Sequence, residues 1–231
     1  MREKINHIRH ISILFLTILI FFFGILIGGN IEDKRIETLY TQLQEQDLAY
    51  QNVLTESKYI TSLIEKDESI SCDLIIGAYF TSISNLDSSR LKLEQYISTA
   101  SVKQDEYYRL QGHYSNLQVT YWLLGNQILN LCEKANFETI LYFFDERKNC
   151  PACQDQGVHL NYVKQLFKDD VLIFSFNVQR EGVVRLLSQR YYVFSRETPV
   201  LVIGDEVLGF SSNQEIIDIL CEKGVENSIC E

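Results

Sequence analysis

Two cysteines separated by two residues, Cys150 and Cys153, are the side chains of this chain best placed to do chemistry. The apolar run before them predicts a strand, and the residues after them predict a helix. A thiol at a helix N-terminus faces unpaired N–H groups and the positive end of the helix dipole, which both favour the thiolate. Pro151 suits the first helical turn, where a missing N–H costs nothing. The spacing therefore predicts a pair that exchanges disulfides with other thiols.

The order of the two cysteines assigns their roles. We expect Cys150, at the start of the helix, to be the attacking nucleophile, and Cys153 to resolve the mixed disulfide that forms on Cys150. A copper site would need the pair and a histidine such as His159, and the chain offers no suitable partner histidine. A structural zinc site needs four ligands, of which the pair supplies two. We therefore predict no metal and no cofactor.

The residues around the pair alternate between strand and helix patterns. Apolar runs predict strands at 139–144, 171–178, 200–203 and 207–210, and the last two flank a hairpin signal. Helical stretches follow Cys153, begin again at Gly182, and end the domain after the capping residue Ser212. The predicted order is β-α-β-α-β-β-α.

That order, with Cys-x-x-Cys after the first strand and Thr198-Pro199 before the third, resembles the thioredoxin superfamily over residues 137–223. The resemblance implies an α/β thioredoxin-like C-terminal domain. It also implies that Pro199 follows a cis peptide bond and faces the redox cysteines. Thr198, together with Pro151 and Ala152 between the cysteines, would then support the active site.

Two features of the resemblance leave the mechanism open. Thioredoxin has a buried acid in its first strand, whereas this strand carries Tyr142, and Asp145 lies nearer the loop. The Pro-Ala dipeptide between the cysteines matches neither the reducing nor the strongly oxidising members of the family. The direction of electron flow therefore stays undetermined.

An apolar run at residues 11–29 carries no charged side chain. As a helix it would span about 28 Å, close to the thickness of a bilayer's hydrocarbon core. A cleaved signal peptide is the alternative, but the run is longer than usual and residues 28–30 form a poor cleavage site. More basic residues precede the run than follow it. We therefore predict a single-pass transmembrane anchor, with residues 1–10 cytoplasmic and the C-terminal domain extracytoplasmic.

Residues 31–135 contain no proline and few strand signals, and we predict an all-α, coiled-coil-like helical region that forms a stalk or hairpin. Apolar seams in steps of three and four run from Ile76 to Ala100 and from Tyr107 to Leu131. In an antiparallel hairpin, Cys72 and Cys132 lie at equal distances from the turn. We predict a disulfide between them, with two buried, unpaired cysteines as the alternative.

The remaining cysteines, Cys221 and Cys230, lie at the end of the chain. Gly224 would end the last helix, so that the tail at 224–231 folds back and a disulfide joins the two. A second redox relay is the alternative. Six cysteines in a chain with an export segment favour disulfides in general.

The composition limits the classes of partner that the protein is expected to bind. The chain has 231 residues and a formal net charge of −10, with no basic cluster, which predicts that it does not bind nucleic acid. We expect a membrane-anchored extracytoplasmic thiol–disulfide oxidoreductase, similar to Dsb-type enzymes. It would act on cysteines of exported proteins and have a redox partner in the membrane. The alternative is a non-catalytic thioredoxin-fold binding module on a membrane-tethered helical stalk, in which Cys150–Cys153 is a structural disulfide.

Overall fold

A computed structural model of the protein describes residues 12–23, 48, 51–52, 55–56, 58–59, 62, 72–99, 104–146, 148–180 and 182–230. The chain divides into two compact units, Met1–Leu48 and Ala49–Glu231. Within the first unit, residues 12–23 belong to a helix, α1, and their side chains are exposed.

The predicted transmembrane anchor at 11–29 is not supported, and the predicted fold class is wrong in including it. Within the described parts of the chain, no helix is both long enough and apolar enough to cross a membrane. Residues 11 and 24–29 lie outside the described residues. The predicted single-pass membrane localisation depended on this anchor and is not supported either.

The second unit contains two long helices followed by an alternating strand and helix region. Its elements are α2 (Cys72–Thr99), α3 (Gln104–Leu131), β1 (Glu138–Phe144), α4 (Ala152–Phe167), β2 (Val171–Asn177), α5 (Val183–Arg190), β3 (Val200–Ile203), β4 (Glu206–Leu208) and α6 (Asn213–Glu222). From β1 onward the strands and long helices follow one another in the order that the sequence predicts. Short 3₁₀ turns precede β2 and follow α5.

The four strands form one mixed sheet in the order β2-β1-β3-β4. β1 pairs parallel with β2 and antiparallel with β3, which in turn pairs antiparallel with β4. On β1, Ile140 and Tyr142 pack into a core with α4 and α6, whereas Leu141 and Phe143 pack into a core with α3 and α5. Helices therefore cover both faces of the sheet, which is why β1 is an unbroken apolar run.

The middle of the seam that the sequence predicts along α3 is buried, although Leu131 at its end is 46% exposed. Leu117, Tyr121, Leu124 and Ile128 are all less than 5% exposed. A disulfide joins Cys72, at the start of α2, to Cys132, just after α3, with the two Cα atoms 5.7 Å apart. The start of one helix thus lies beside the end of the other, as in an antiparallel hairpin.

α3 also packs against the sheet, which the sequence did not indicate. The Gln118 side-chain amide donates to the backbone oxygen of Ser175 at 2.9 Å, and the backbone N–H of Ser175 donates to the Gln118 side-chain oxygen at 2.7 Å. Ser175 lies on β2, an edge strand of the sheet. The glutamine therefore pairs backbone groups that an edge strand otherwise leaves open.

Gly125 of α3 lies where the hairpin is most tightly packed. A Cβ at this position would collide with the hydroxyl of Tyr79 and come within 3.4 Å of the Phe137 ring. Tyr79 has little room to move, because it is 1% exposed, donates to the backbone oxygen of Tyr121 at 3.0 Å, and stacks on Phe137. We expect Gly125→Ala to lower the free energy of unfolding by about 1–3 kcal/mol, measured by urea denaturation.

Gly112, on the same helix, is the matched control. A Cβ there meets no heavy atom within 4 Å. Alanine favours a helix over glycine by up to about 1 kcal/mol, so Gly112→Ala should leave stability unchanged or raise it. Equal losses for the two substitutions would contradict the packing described around Gly125.

Candidate functional site

Cys150 and Cys153 form a disulfide at the junction between β1 and α4. The S–S distance is 1.97 Å and the Cα atoms lie 5.4 Å apart. Cys150 lies in the turn that follows β1, Pro151 is the N-cap residue, and Cys153 is the second residue of α4. The two cysteines are 1% and 7% exposed. The structure therefore places the predicted redox pair at a helix N-terminus.

Backbone hydrogen bonds hold the turn that carries Cys150. The N–H groups of Asn149 and Cys150 both donate to the carbonyl of Glu146, at 2.8 and 3.0 Å. The N–H of Cys153 donates to the carbonyl of Cys150 at 3.3 Å. Among the described residues, no side-chain oxygen caps α4. The first N–H groups of this helix therefore lack the usual side-chain acceptor, and they favour a negative charge nearby.

Two cavities open onto the cysteines. The smaller, of about 230 Å³, is lined by Tyr142, Phe144, Asp145, Cys150, Cys153 and Gln154. The larger, of about 710 Å³, also reaches Cys150 and Asp145, and it is lined in addition by Pro151, Ala152 and Thr198. The structure thus brings both cysteines and three of the predicted supporting residues to connected surfaces, although the cysteines themselves are little exposed.

Tyr142 lies in the smaller cavity, on the face of β1 that packs against α4. Its hydroxyl donates to the backbone carbonyl of Cys153 at 2.6 Å. Burial raises the pKa of Tyr142 to about 12, so the phenol stays protonated and acts as a donor at neutral pH. This tyrosine of β1 therefore contacts the backbone of the second cysteine.

Asp145 lines both cavities and carries a stable negative charge. Burial by itself would raise the pKa of this carboxyl. Hydrogen bonds from Gln179, the Glu146 N–H and Asn149, with the nearby charge of Lys148, outweigh burial and lower the pKa below its usual value. The Gln179 amide lies 2.8 Å from the carboxylate. Asp145 is therefore ionised at neutral pH and does not serve as a proton donor there.

The peptide bond between Thr198 and Pro199 is cis, as the family resemblance implies. Thr198 lines the larger cavity together with Cys150, and Pro199 is the residue before β3. The cis bond thus ends the segment Arg196–Thr198, which forms part of the wall of the larger cavity.

Sequence reasoning missed the apolar part of this wall. Val193 and Phe194 line the larger cavity, and Phe194 is 56% exposed. The preceding residue, Tyr192, has a left-handed backbone with φ of 54° and is 75% exposed. An aromatic cluster a few residues before Thr198-Pro199 was the available signal, since exposed aromatic side chains beside a cleft are typical of binding surfaces.

The third pair, Cys221 and Cys230, is also a disulfide, with Cα atoms 5.2 Å apart. It joins the end of α6 to the tail, and Gly224 between them has a φ of 80° that glycine adopts without strain. With Cys72–Cys132 and Cys150–Cys153, the protein carries three disulfides and is a disulfide-bearing protein. In the described parts of the chain, no group of three or more His, Cys, Asp or Glu side chains is arranged to hold a metal ion.

Comparisons with known proteins add little to this geometry. No family model matches the chain, and no curated protein matches it. A solved structure described as "Structure of a malarial protein" is 18% identical, with a TM-score of 0.32. The match covers 39% of this chain and 100% of that one. A TM-score this low carries no argument about fold or function.

Proposed function

We propose that the protein is a thiol–disulfide oxidoreductase related to the thioredoxin superfamily, with Cys150 and Cys153 as its redox pair. The observation that carries the proposal is a Cys-x-x-Cys disulfide at the N-terminus of α4, where no side chain caps the helix and two cavities reach Cys150. The cis bond before Pro199 and the sheet order β2-β1-β3-β4 support the family relation. The substrates would be cysteine-containing proteins.

The reaction follows from the chemistry of the pair. A substrate thiolate attacks the sulfur of Cys150, a substrate–Cys150 disulfide forms, and the Cys150–Cys153 bond breaks to leave a thiolate on Cys153. A second substrate thiolate then attacks the substrate sulfur of this mixed disulfide. The substrate becomes a disulfide, Cys150 leaves as a thiolate, and the protein has gained two electrons. The same steps run backwards for a reductase.

The binding-module alternative has one observation in its favour. Cys150 and Cys153 are 1% and 7% exposed, which also suits a structural disulfide that holds the start of α4. A structural disulfide resists exchange while the protein stays folded, whereas a redox pair exchanges in the folded state. The two functions therefore differ in a rate that can be measured.

Turnover tests the proposal directly. The full chain, in catalytic amounts, is mixed with a peptide that carries two cysteines and with an excess of oxidised glutathione, and peptide oxidation is followed by mass spectrometry. We expect many peptide disulfides per protein molecule, at a rate above that of glutathione alone. Peptide oxidation no faster than with oxidised glutathione alone would contradict the oxidoreductase proposal and favour the binding module.

A further inference from the structure

We propose that Tyr142 is a positioning residue for the exchange reaction: its hydroxyl ties the first turn of α4 to β1, and so keeps the Cys153 sulfur facing Cys150 after the disulfide opens. This inference rests on the proposed function. Its basis is the hydrogen bond of 2.6 Å from the Tyr142 hydroxyl to the carbonyl of Cys153.

β1 holds the Tyr142 end of this hydrogen bond in place. Tyr142 is paired with Ser175 of β2 on one side and with Leu201 of β3 on the other, so the strand is held from both directions. Its ring is 7% exposed and packs at 5.5 Å from the ring of Phe144. A hydroxyl on such a side chain has a nearly fixed position.

The start of α4, at the other end of this hydrogen bond, is less firmly held. Pro151 provides no side-chain cap, and the N–H of Cys153 reaches the carbonyl of Cys150 only at 3.3 Å. While the disulfide is closed, it also joins the turn to the helix. Once it opens, the Tyr142 hydroxyl remains as a short hydrogen bond from the sheet to this turn.

Positioning matters most in the resolving step. There the thiolate of Cys153 attacks the sulfur of Cys150 in the mixed disulfide, the bond to the substrate breaks, and the substrate leaves as a thiolate. The proton of the Cys153 thiol goes to solvent water. The rate depends on how often the two sulfurs are aligned, and a small loss of alignment is costly in a reaction within one molecule.

The other groups of the smaller cavity do not suggest a proton relay. Tyr142 stays protonated at neutral pH because its pKa is raised to about 12, and Asp145 stays ionised because its pKa is lowered. Lys148, outside the cavity but close enough for its charge to act on Asp145, is paired with Glu146 at 2.8 Å. A hydrogen bond that orients the turn is therefore the contribution that the geometry assigns to Tyr142.

The test removes this hydroxyl and compares the result with a matched control. Tyr142→Phe removes the bond to the Cys153 carbonyl, and Tyr79→Phe removes a similar buried bond, of 3.0 Å to the carbonyl of Tyr121 in the helical hairpin. Both variants of the full chain are equilibrated with dithiothreitol buffers, and the pair is assayed by alkylation and mass spectrometry. The rate of the resolving step is measured by rapid acid quench of the mixed disulfide formed with a cysteine peptide.

We expect Tyr142→Phe to slow the resolving step about tenfold. The equilibrium constant for closing the Cys150–Cys153 disulfide should fall by a similar factor. A tenfold change in this equilibrium raises the reduction potential by about 30 mV. Tyr79→Phe should change neither quantity, although both variants lower the urea midpoint. The apparent pKa of the resolving step should stay the same in Tyr142→Phe, since the tyrosine carries no proton.

Two results would overturn the inference in distinguishable ways. If the wild-type pair exchanges and Tyr142→Phe resolves as fast as Tyr79→Phe, the tyrosine has only a structural role. If the wild-type pair does not exchange in the folded protein, the proposed function fails, and the inference fails with it.

Discussion

Replacement of Cys150 with Ser is expected to reduce the rate of disulfide exchange by about a thousandfold or more. Serine provides neither a sulfur that can form a mixed disulfide nor a group that ionises near neutral pH, so both half-reactions lose their reacting atom. The measurement is the turnover of the two-cysteine peptide by the full chain. The fold should persist, because the two cysteines are only three residues apart in sequence. A disulfide that closes so short a loop restricts the unfolded chain little and so contributes little to stability.

Cys153→Ser is the matched control, because it opens the same disulfide and leaves Cys150 in place. We expect it to lose turnover as well, yet to accumulate a stable mixed disulfide between Cys150 and the peptide, visible as an added mass. Cys150→Ser should form no such adduct at Cys153, because Cys150 lines both cavities whereas Cys153 lines only the smaller one. Equal adducts on both variants would contradict the assignment of Cys150 as nucleophile.

Loss of the Cys72–Cys132 disulfide is expected to give the largest loss of stability. This bond closes a loop with a sequence separation of 60 residues, for which the entropy of the unfolded chain predicts about 4 kcal/mol. Cys132 is also 1% exposed, so a serine there buries a hydroxyl in an apolar core. The double substitution Cys72→Ser with Cys132→Ser should therefore lower the free energy of unfolding by at least about 4 kcal/mol, measured by urea denaturation.

The Cys221–Cys230 bond provides the comparison. Its sequence separation is 9 residues, which predicts a smaller contribution of about 2–3 kcal/mol. The corresponding double serine variant should be the more stable of the two and should keep its exchange activity. A larger loss from the tail disulfide than from the hairpin disulfide would show that loop length does not govern these contributions.

Local patterns in the sequence predicted several parts of the structure. The strand at residues 139–144 is apolar because helices cover both of its faces, and the seam of α3 is apolar in steps of three and four because one side of the helix is buried. The turn near Cys150 was predictable because proline is favoured in the first turn of a helix, and because a Cys-x-x-Cys pair is typical of a helix N-terminus. Each of these features depends on neighbours along the chain.

Contacts between distant parts of the chain were not predictable. Nothing local to Gln118 indicates that it pairs with the backbone of Ser175, and nothing local to Tyr142 indicates that its hydroxyl reaches Cys153. The larger cavity likewise arises where the turn at Cys150 meets the segment before Pro199. The anchor predicted at 11–29 is likewise not supported, since no helix in the described parts of the chain is both long enough and apolar enough to cross a membrane.

The reduction potential of the Cys150–Cys153 pair tests the central claim most directly. The full chain is equilibrated in buffers of defined dithiothreitol or glutathione ratio, and the pair is read by alkylation and peptide mapping while circular dichroism reports the fold. We predict reversible reduction of this pair in the folded protein, at a potential between about −120 and −270 mV, the range of known disulfide donors and reductases. A pair that stays oxidised until the protein unfolds would be a structural disulfide, and the oxidoreductase account would be wrong.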